Sequence, residues 1–392
     1  MEQVYSTMKR FLLLIFILSS LFSFSSNQPT RAEEQVEIVE PDEGSVLCKP
    51  GIVGDCLELG PAHYLKKMET LGIQLPMKPL AYSRPDPALN FLPYLYGQVV
   101  TANAPIYGNK EDAARAKNPI RRMNGVFEYI SYTYTEVYNE VRVYEVEYGG
   151  WMNAFDVHRV GTPTFQGVVL DRSPQTPFGW VLQQVETKSS PTHAVLSNNT
   201  GKWLNRYEIY QIYDKQTVEG LEWVMIRPGE WIEKRYIAIV YPRTSLPEGV
   251  TTHRWIDINL YEQTIIGYEG LRMRFATVIS SGIDPFWTRP GLFSIYEKLE
   301  ATYMTGSFEP DGSDRYYLED VPWTMYFDEA RALHGAYWHT GYGWPRSHGC
   351  VNLSPGDSQW FFNWAEVGDQ VYVHDPSGLT PTDPSLYGSG GA

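Results

Sequence analysis

Between about residues 92 and 242 the chain reads as short apolar and aromatic runs broken by turn formers, a rhythm that predicts strands rather than helices. The runs 98–101 (QVVT), 127–132 (FEYISY) and 141–146 (VRVYEV) form a first set, which leads into Gly149-Gly150-Trp151-Met152. A second set holds 207–210 (YEIY), 222–226 (EWVMI) and Gly229-Glu230-Trp231-Ile232. An aromatic strand, a glycine turn and then tryptophan with an aliphatic neighbour recur eighty positions apart, so two copies of one small β-barrel are expected.

Past residue 242 the alternation sharpens. Residues 254–260 (RWIDINL) set Ile256, Ile258 and Leu260 on one face against Asp257 and Asn259, the period of a half-buried strand. Turns at 261–263 and 269–270 fold 265–268 and 271–280 back as an antiparallel meander. Strands at 292–296 and 323–327, a helix at 357–365 carrying Trp360, Phe361 and Trp364 on one side, and a strand at 370–374 follow. Upstream, residues 33–91 are polar and proline-punctuated, with one helical run at 62–71. The tail 377–392, rich in Pro, Ser, Thr and Gly, reads as disordered.

Composition agrees with a mainly β protein: 28 Tyr, 12 Trp and 16 Phe in 392 residues favour strands. The formal net charge of -14 opposes nucleic acid or an anionic membrane surface as the main partner. Met8-Lys9-Arg10, the apolar run 11–24 and a small residue at Ala32 describe a secretory signal over residues 1–32. An exported protein of the cell envelope is expected, with an uncleaved N-terminal anchor as the alternative and no other membrane attachment. Export gives the cysteines meaning. Cys48 and Cys56 in CKPGIVGDC suit a small disulfide loop, which leaves Cys350 single.

Cys350 lies in residues 333–353, LHGAYWHTGYGWPRSHGCVNL, with three of the eight histidines. A thiol beside imidazoles is the equipment of nucleophilic acyl chemistry: thiolate attacks a carbonyl, and a nearby imidazole moves the proton. Gly349 removes a side chain next to the nucleophile, so backbone N–H groups there could meet an oxyanion. His334 and His348 are the candidate bases, with His339 as competitor. No metal is expected, because no pair among His334, His339, His348 and Cys350 has a familiar zinc spacing.

These residues together resemble the L,D-transpeptidase catalytic domain of bacterial cell-wall enzymes. The resemblance rests on Ile256 to Leu260 with Gln263, Ser280-Ser281-Gly282, residues 288–293, His334-Gly335 and Ser347-His348-Gly349-Cys350-Val351-Asn352. The family's frequent Thr-Pro-x-Gly turn stands here as Thr288-Arg289-Pro290-Gly291, and the His334–Ser347 interval is short, which implies a smaller loop over the site. The two upstream β-modules resemble bacterial SH3-like domains. The implied organisation is a signal peptide (1–32), a spacer (33–91), SH3-like modules (92–165 and 166–245), an L,D-transpeptidase β-sandwich (246–376) and a tail (377–392).

The resemblance implies Cys350 as nucleophile and His334 as its base. His348 would orient the site, with oxyanion donors at Gly349 and Cys350. Ser347 and Asn352 would shape the groove, which Tyr337, Trp338 and His339 would line. It implies peptidoglycan stem peptides, and glycan as a further partner, with carbapenems as inhibitors and no cofactor. The implied reaction is a 3→3 cross-link made with release of D-Ala. Hydrolysis by the same thioester, an L,D-carboxypeptidase, is the first alternative. A non-catalytic wall-binding protein is the second.

Overall fold

The computed structural model describes Lys66, Glu69 and residues 79–123, 127–192, 198–307 and 315–387. The signal (1–32) and the Cys48–Cys56 loop lie outside the described residues. Of the helix expected at 62–71, Lys66 and Glu69 are described, and both are helical. Among the described residues no helix is long and apolar enough to cross a membrane.

The protein is mainly β, and its two upstream segments share one pairing pattern. In the first, β2 (Leu95–Val99) pairs with β5 (Phe127–Tyr138) and β8 (Val157–Val160). There β3 (Pro105–Tyr107) pairs with β4 (Pro119–Arg122) and β7 (Trp151–Asn153), and β6 (Val141–Val146) joins β5 to β7. A short helix, α1 (Lys110–Arg115), packs Ala113 beside β6 and β7. In the second, β10 (Phe178–Val181) pairs with β13 (Ile209–Gln211) and β17 (Ile237–Val240). Likewise β11 (Val185–Lys188) pairs with β12 (Asn199–Leu204) and β16 (Glu230–Glu233), while β15 (Leu221–Arg227) joins β14 (Asp214–Val218) to β16. A 3₁₀ turn precedes the last strand in both. The glycine–tryptophan turn starts the strand that feeds this 3₁₀ turn, so the same step of chain reversal uses the same residues.

The C-terminal part is two facing sheets. One has seven strands: β1 (Tyr82–Ser83), β9 (Val168–Leu170), β20 (Arg272–Val278), β19 (Thr264–Glu269), β18 (Arg254–Asn259), β26 (Gln370–His374) and β21 (Gly291–Ser294), in that order. The meander is β18–β19–β20, and β26 adds to β18 in parallel. The other carries the hairpin β22 (Glu297–Gly306) and β23 (Tyr316–Asp328), then β24 (Arg331–Gly335) and β25 (Val351–Leu353). Ile256, Ile258, Ile265 and Phe275 of the first sheet meet Met325, Phe327, Leu333 and Val351 of the second, with Phe361 of α2 (Pro355–Trp364) closing the side.

Two expectations are corrected. Strand β18 is covered on both faces, because Phe178, Trp180, Ala238 and Val240 of the second β-module pack over Trp255 and Tyr268. Asp257 is therefore buried, and it is held by the Arg243 guanidinium and by His374 Nε2 at 2.9 Å. The described part of the tail, 377–387, is folded. The Asp375 carboxylate accepts from the backbone and hydroxyls of Ser377 and Thr380, and Arg331 lies over the Tyr387 ring. Two anchors thus overcome a composition that reads as disorder.

Candidate active site

Strands β24 and β25 run parallel, with Leu333 opposite Val351 and His334 opposite Asn352. Side chains alternate across a sheet. Leu333, Val351 and Leu353 therefore point into the sandwich core, while His334 and Asn352 face the other way. Cys350, one residue before β25, falls on the His334 face, two places along the same strand line. There it joins a second cluster with Tyr96, Tyr129, Met304, Tyr316, Leu318 and Tyr337. The hairpin β22–β23 and the first β-module both contribute to this cluster, so the cover over the thiol comes from that hairpin as well as from the loop 336–346, which supplies Tyr337.

The turn that delivers Cys350 is tied on every side. Gly349 has φ +120°, a conformation open to glycine at little penalty. Its N–H donates to Ser347 Oγ at 3.1 Å, its carbonyl accepts from Thr288 Oγ1 at 2.8 Å, and Ser347 Oγ in turn donates to the Cys350 carbonyl. Thr288 Oγ1 also accepts from Gly282 N at 2.9 Å. A Cβ on Gly282 would stand 2.1 Å from the Phe286 carbonyl oxygen, so a glycine is required where these two loops touch.

Burial dominates the electrostatics. Cys350 is 4% exposed and its Sγ lies 3.7 Å from the Ala330 carbonyl. Desolvation pushes the thiol up to about 11, against smaller opposing effects of the Ala332 backbone and the Arg331 charge. His334, 2% exposed, is pulled down to about 4 by the same desolvation. Its Nδ1 faces the Gly335 carbonyl at 3.4 Å, and a carbonyl only accepts, so the proton belongs on Nδ1 and the lone pair on Nε2. At neutral pH the resting pair is thus a neutral thiol and a neutral imidazole.

The remaining expected residues divide. His339 Nδ1 accepts from Gly341 N at 3.1 Å, which puts the proton on Nε2, 3.1 Å from the Asn352 side-chain amide. Asn352 stands with Nδ2 toward the ring and Oδ1 unpaired, and turning the amide over satisfies both groups by bringing Oδ1 to the His339 N–H. Trp338 lies beside His334 with ring centroids 5.7 Å apart. His348 sits between Phe286 and Tyr316, its ring centroid 4.9 and 5.6 Å from theirs, and braces the catalytic turn against the hairpin. Two assignments are corrected. Gly349 N–H is not a free oxyanion donor, since Ser347 Oγ takes it. Tyr337 lines no groove: it is buried, stacked on Tyr96 at 3.6 Å, and donates to the Glu319 carbonyl.

Sequence reading missed Arg331, the cation that faces the thiol, and the aromatic cover from Tyr96 and Tyr316. The Arg331 guanidinium pairs with Asp328, which Arg289 also holds. Nothing in the string DEAR distinguishes that turn from an exposed one. A groove of about 540 Å³ runs along Tyr296, Tyr303, Tyr326, Glu329 and Ala330, beside the Cys350 sulfur. Larger cavities of about 660 and 730 Å³ lie where the second β-module meets the sandwich, and neither is lined by Cys350 or His334. The smaller groove does not include Cys350 or His334 in its lining either; it approaches the sulfur only through Ala330.

A buried thiol and a neutral imidazole share one face of two parallel strands, the equipment that cysteine acyl transfer uses. Residues 253–373 match the family model of the YkuD L,D-transpeptidase catalytic domain. A curated relative, L,D-transpeptidase 2 of Mycobacterium tuberculosis, is 32% identical over 106 residues, 26% of this chain and 26% of the relative. The chain thus spans about a quarter of that relative's length in the match. Among solved structures, an L,D-transpeptidase from Stackebrandtia nassauensis is 26% identical, covering 34% of this chain and 58% of that one, with a TM-score of 0.27. The E. faecium catalytic domain acylated by ertapenem is 27% identical, covering 32% and 100%, with a TM-score of 0.29.

Proposed function

We propose that this protein is an exported L,D-transpeptidase that forms 3→3 peptidoglycan cross-links through a thioester on Cys350, releasing D-Ala from tetrapeptide stems. The alignment of Cys350 and His334 on one face of parallel strands, beneath the β22–β23 hairpin, is the observation that carries this reading. His334 Nε2 takes the thiol proton as sulfur attacks the carbonyl of the third stem residue. The C–N bond to D-Ala then breaks, and the leaving amine receives that proton. In the second half the side-chain amine of another stem attacks the thioester, His334 accepts its proton, and the thiolate leaves to be reprotonated. Because both groups rest neutral, attack and proton transfer proceed together, without a preformed thiolate. Of the two backbone donors, Cys350 N–H is the one left for the oxyanion.

Burial of the pair supports acyl transfer to an amine, since a dry thioester survives until the acceptor binds. The upstream β-modules, read as SH3-like, would hold the enzyme on the wall. The match to a family with an ertapenem-acylated member supports Cys350 as a carbapenem target here.

The test is mass spectrometry of residues 33–392 with tetrapeptide muropeptides. A dimer formed with loss of D-Ala, absent in Cys350→Ala and His334→Ala, is the expected result. Tripeptide without dimer would make the protein an L,D-carboxypeptidase. No turnover and no carbapenem adduct would leave a wall-binding protein.

A further inference from the structure

The first β-module does more than precede the catalytic domain: it is sewn into the cover of the thiol. Residues Tyr316, Tyr317 and Leu318 of β23 pair in parallel with Phe127, Glu128 and Tyr129 of β5. Immediately beyond, Asp320 has φ +43° and turns the strand toward the module. Ser131 N–H donates to Glu319 Oε2 at 2.8 Å, and Ser131 Oγ reaches the Asp320 carboxylate. Tyr96 OH donates to the Asp320 carbonyl at 2.9 Å, and Tyr148 OH lies 3.5 Å from its carboxylate. The Tyr96 ring stacks on Tyr337, only three residues past His334, and Tyr337 OH holds the Glu319 carbonyl at 2.7 Å. Every link on this path is a hydrogen bond, a strand pairing or a ring stack.

We propose that the first β-module is a positioning element of the acyl-transfer site, which holds the β22–β23 hairpin closed over Cys350 through a latch of Ser131 and Tyr96 on Glu319 and Asp320. The proposal rests on the function read above for the substrate chemistry, but not for the latch itself. Glu319 and Asp320 are positioning residues; neither meets the thiol.

The latch has a chemical consequence. Glu319 is buried, and its Oε1 has no hydrogen-bond partner. The groups around it are Tyr317 and Asp320 on its own strand, Ser131 of β5, Arg121 of β4, and Tyr337. Glu147, Tyr94, Tyr96 and Tyr148 face the adjoining Asp320. Burial and the neighbouring Asp320 carboxylate raise Glu319, and the Ser131 amide, the Tyr317 hydroxyl and Arg121 only partly oppose them, which leaves it at about 7. In the released hairpin it returns to the ordinary value of 4.5. A folded value above the released one means the latch is strongest below the released value and weakens as pH rises toward 7. Opening therefore grows about tenfold per pH unit across that window and levels off beyond it.

The experiment measures alkylation of Cys350 by iodoacetamide in the full chain between pH 5 and pH 8, for wild type and for Glu319→Gln, which keeps a neutral group of the same shape. The ratio of wild-type to variant rate cancels the thiol's own titration. It is expected to rise about fortyfold between pH 5 and pH 7 and then to level off. Tyr96→Phe, which keeps the ring stack and removes one latch hydrogen bond, should raise the rate several-fold at pH 5 while the melting temperature falls by no more than a few degrees. A flat ratio, or a Tyr96→Phe rate equal to wild type, overturns the latch. Because alkylation needs no turnover, a normal latch without cross-linking would sink only the functional reading. Cross-linking with a flat ratio would sink only the latch.

Discussion

At Cys350 the burial that hides the thiol also keeps it protonated, and at His334 the same burial keeps the imidazole neutral. The active ionisation state then exists wherever His334 is unprotonated and the thiol has not yet titrated. The rate of carbapenem acylation should accordingly fall with an acid limb near pH 4, where His334 titrates, rather than near the ordinary 6.5, and stay level through neutrality. A limb near 6.5 would show that the site titrates in an open, hydrated form. On the proposed mechanism, replacing His334 with Ala removes the base and should lower that rate by about 10²–10⁴-fold. One position outward, His339→Ala strips the partner from Asn352. A buried amide left unpaired costs about 1–3 kcal/mol, to be read from a chemical denaturation curve with thiol position checked by alkylation. These residues were legible as one string, SHGCVN with HG upstream, because the neighbouring strands β24 and β25 are both drawn from one short stretch of chain. The oxyanion donor was not, since only the folded turn reveals that Ser347 Oγ has taken the Gly349 N–H.

Among the elements, the catalytic turn and helix α2 bear the sharpest constraints. Helix α2 begins with Ser354, whose Oγ accepts from Asp357 N at 3.2 Å, and Pro355 occupies the first turn, where a missing N–H does no harm. Ser354→Ala should lower stability by about 1 kcal/mol through the lost cap, a shift visible in thermal unfolding. Gly282→Ala should do more to activity than to stability. Its Cβ would strike backbone at Phe286 and Thr288 and displace the turn that Thr288 Oγ1 ties to Gly349. Acylation should drop at least tenfold while the melting temperature moves by a few degrees; unchanged acylation would show that the two loops move independently. The strands themselves were readable from alternation, with β6 and β26 found end to end. Alternation failed at β18, where an inward Asp257 looks like a solvent position until Arg243 and His374 arrive from elsewhere in the chain.

At the scale of the whole molecule, the 253–373 domain is not self-sufficient in its packing. The outer face of its first sheet, with Trp255, Ile266, Tyr268 and Ala276, is covered by Trp180, Ala238 and Val240 of the second β-module. Trp180→Ala should cost about 3–5 kcal/mol although it lies outside the matched domain, and a fragment limited to residues 246–387 should melt lower and expose that face to a hydrophobic dye. A fragment as stable as the full chain would show that the module merely rests on the sheet. The first module works on the opposite side, where it pairs with the hairpin over Cys350. The repeated aromatic and glycine rhythm announced two β-modules, but no pattern in either announced its partner.

By itself, the sequence determined the mainly β architecture and the repeat, and it singled out Cys350 and His334 as the pair to test. Each of these is written in local periodicity or in a short contiguous motif. Tertiary structure alone decided that Tyr337 is core, that the tail as far as Tyr387 is folded, that Arg331 faces the thiol, and that Tyr96 reaches Asp320 across 224 positions of chain. Those facts depend on which distant surfaces exclude water together, and no local pattern records the far partner.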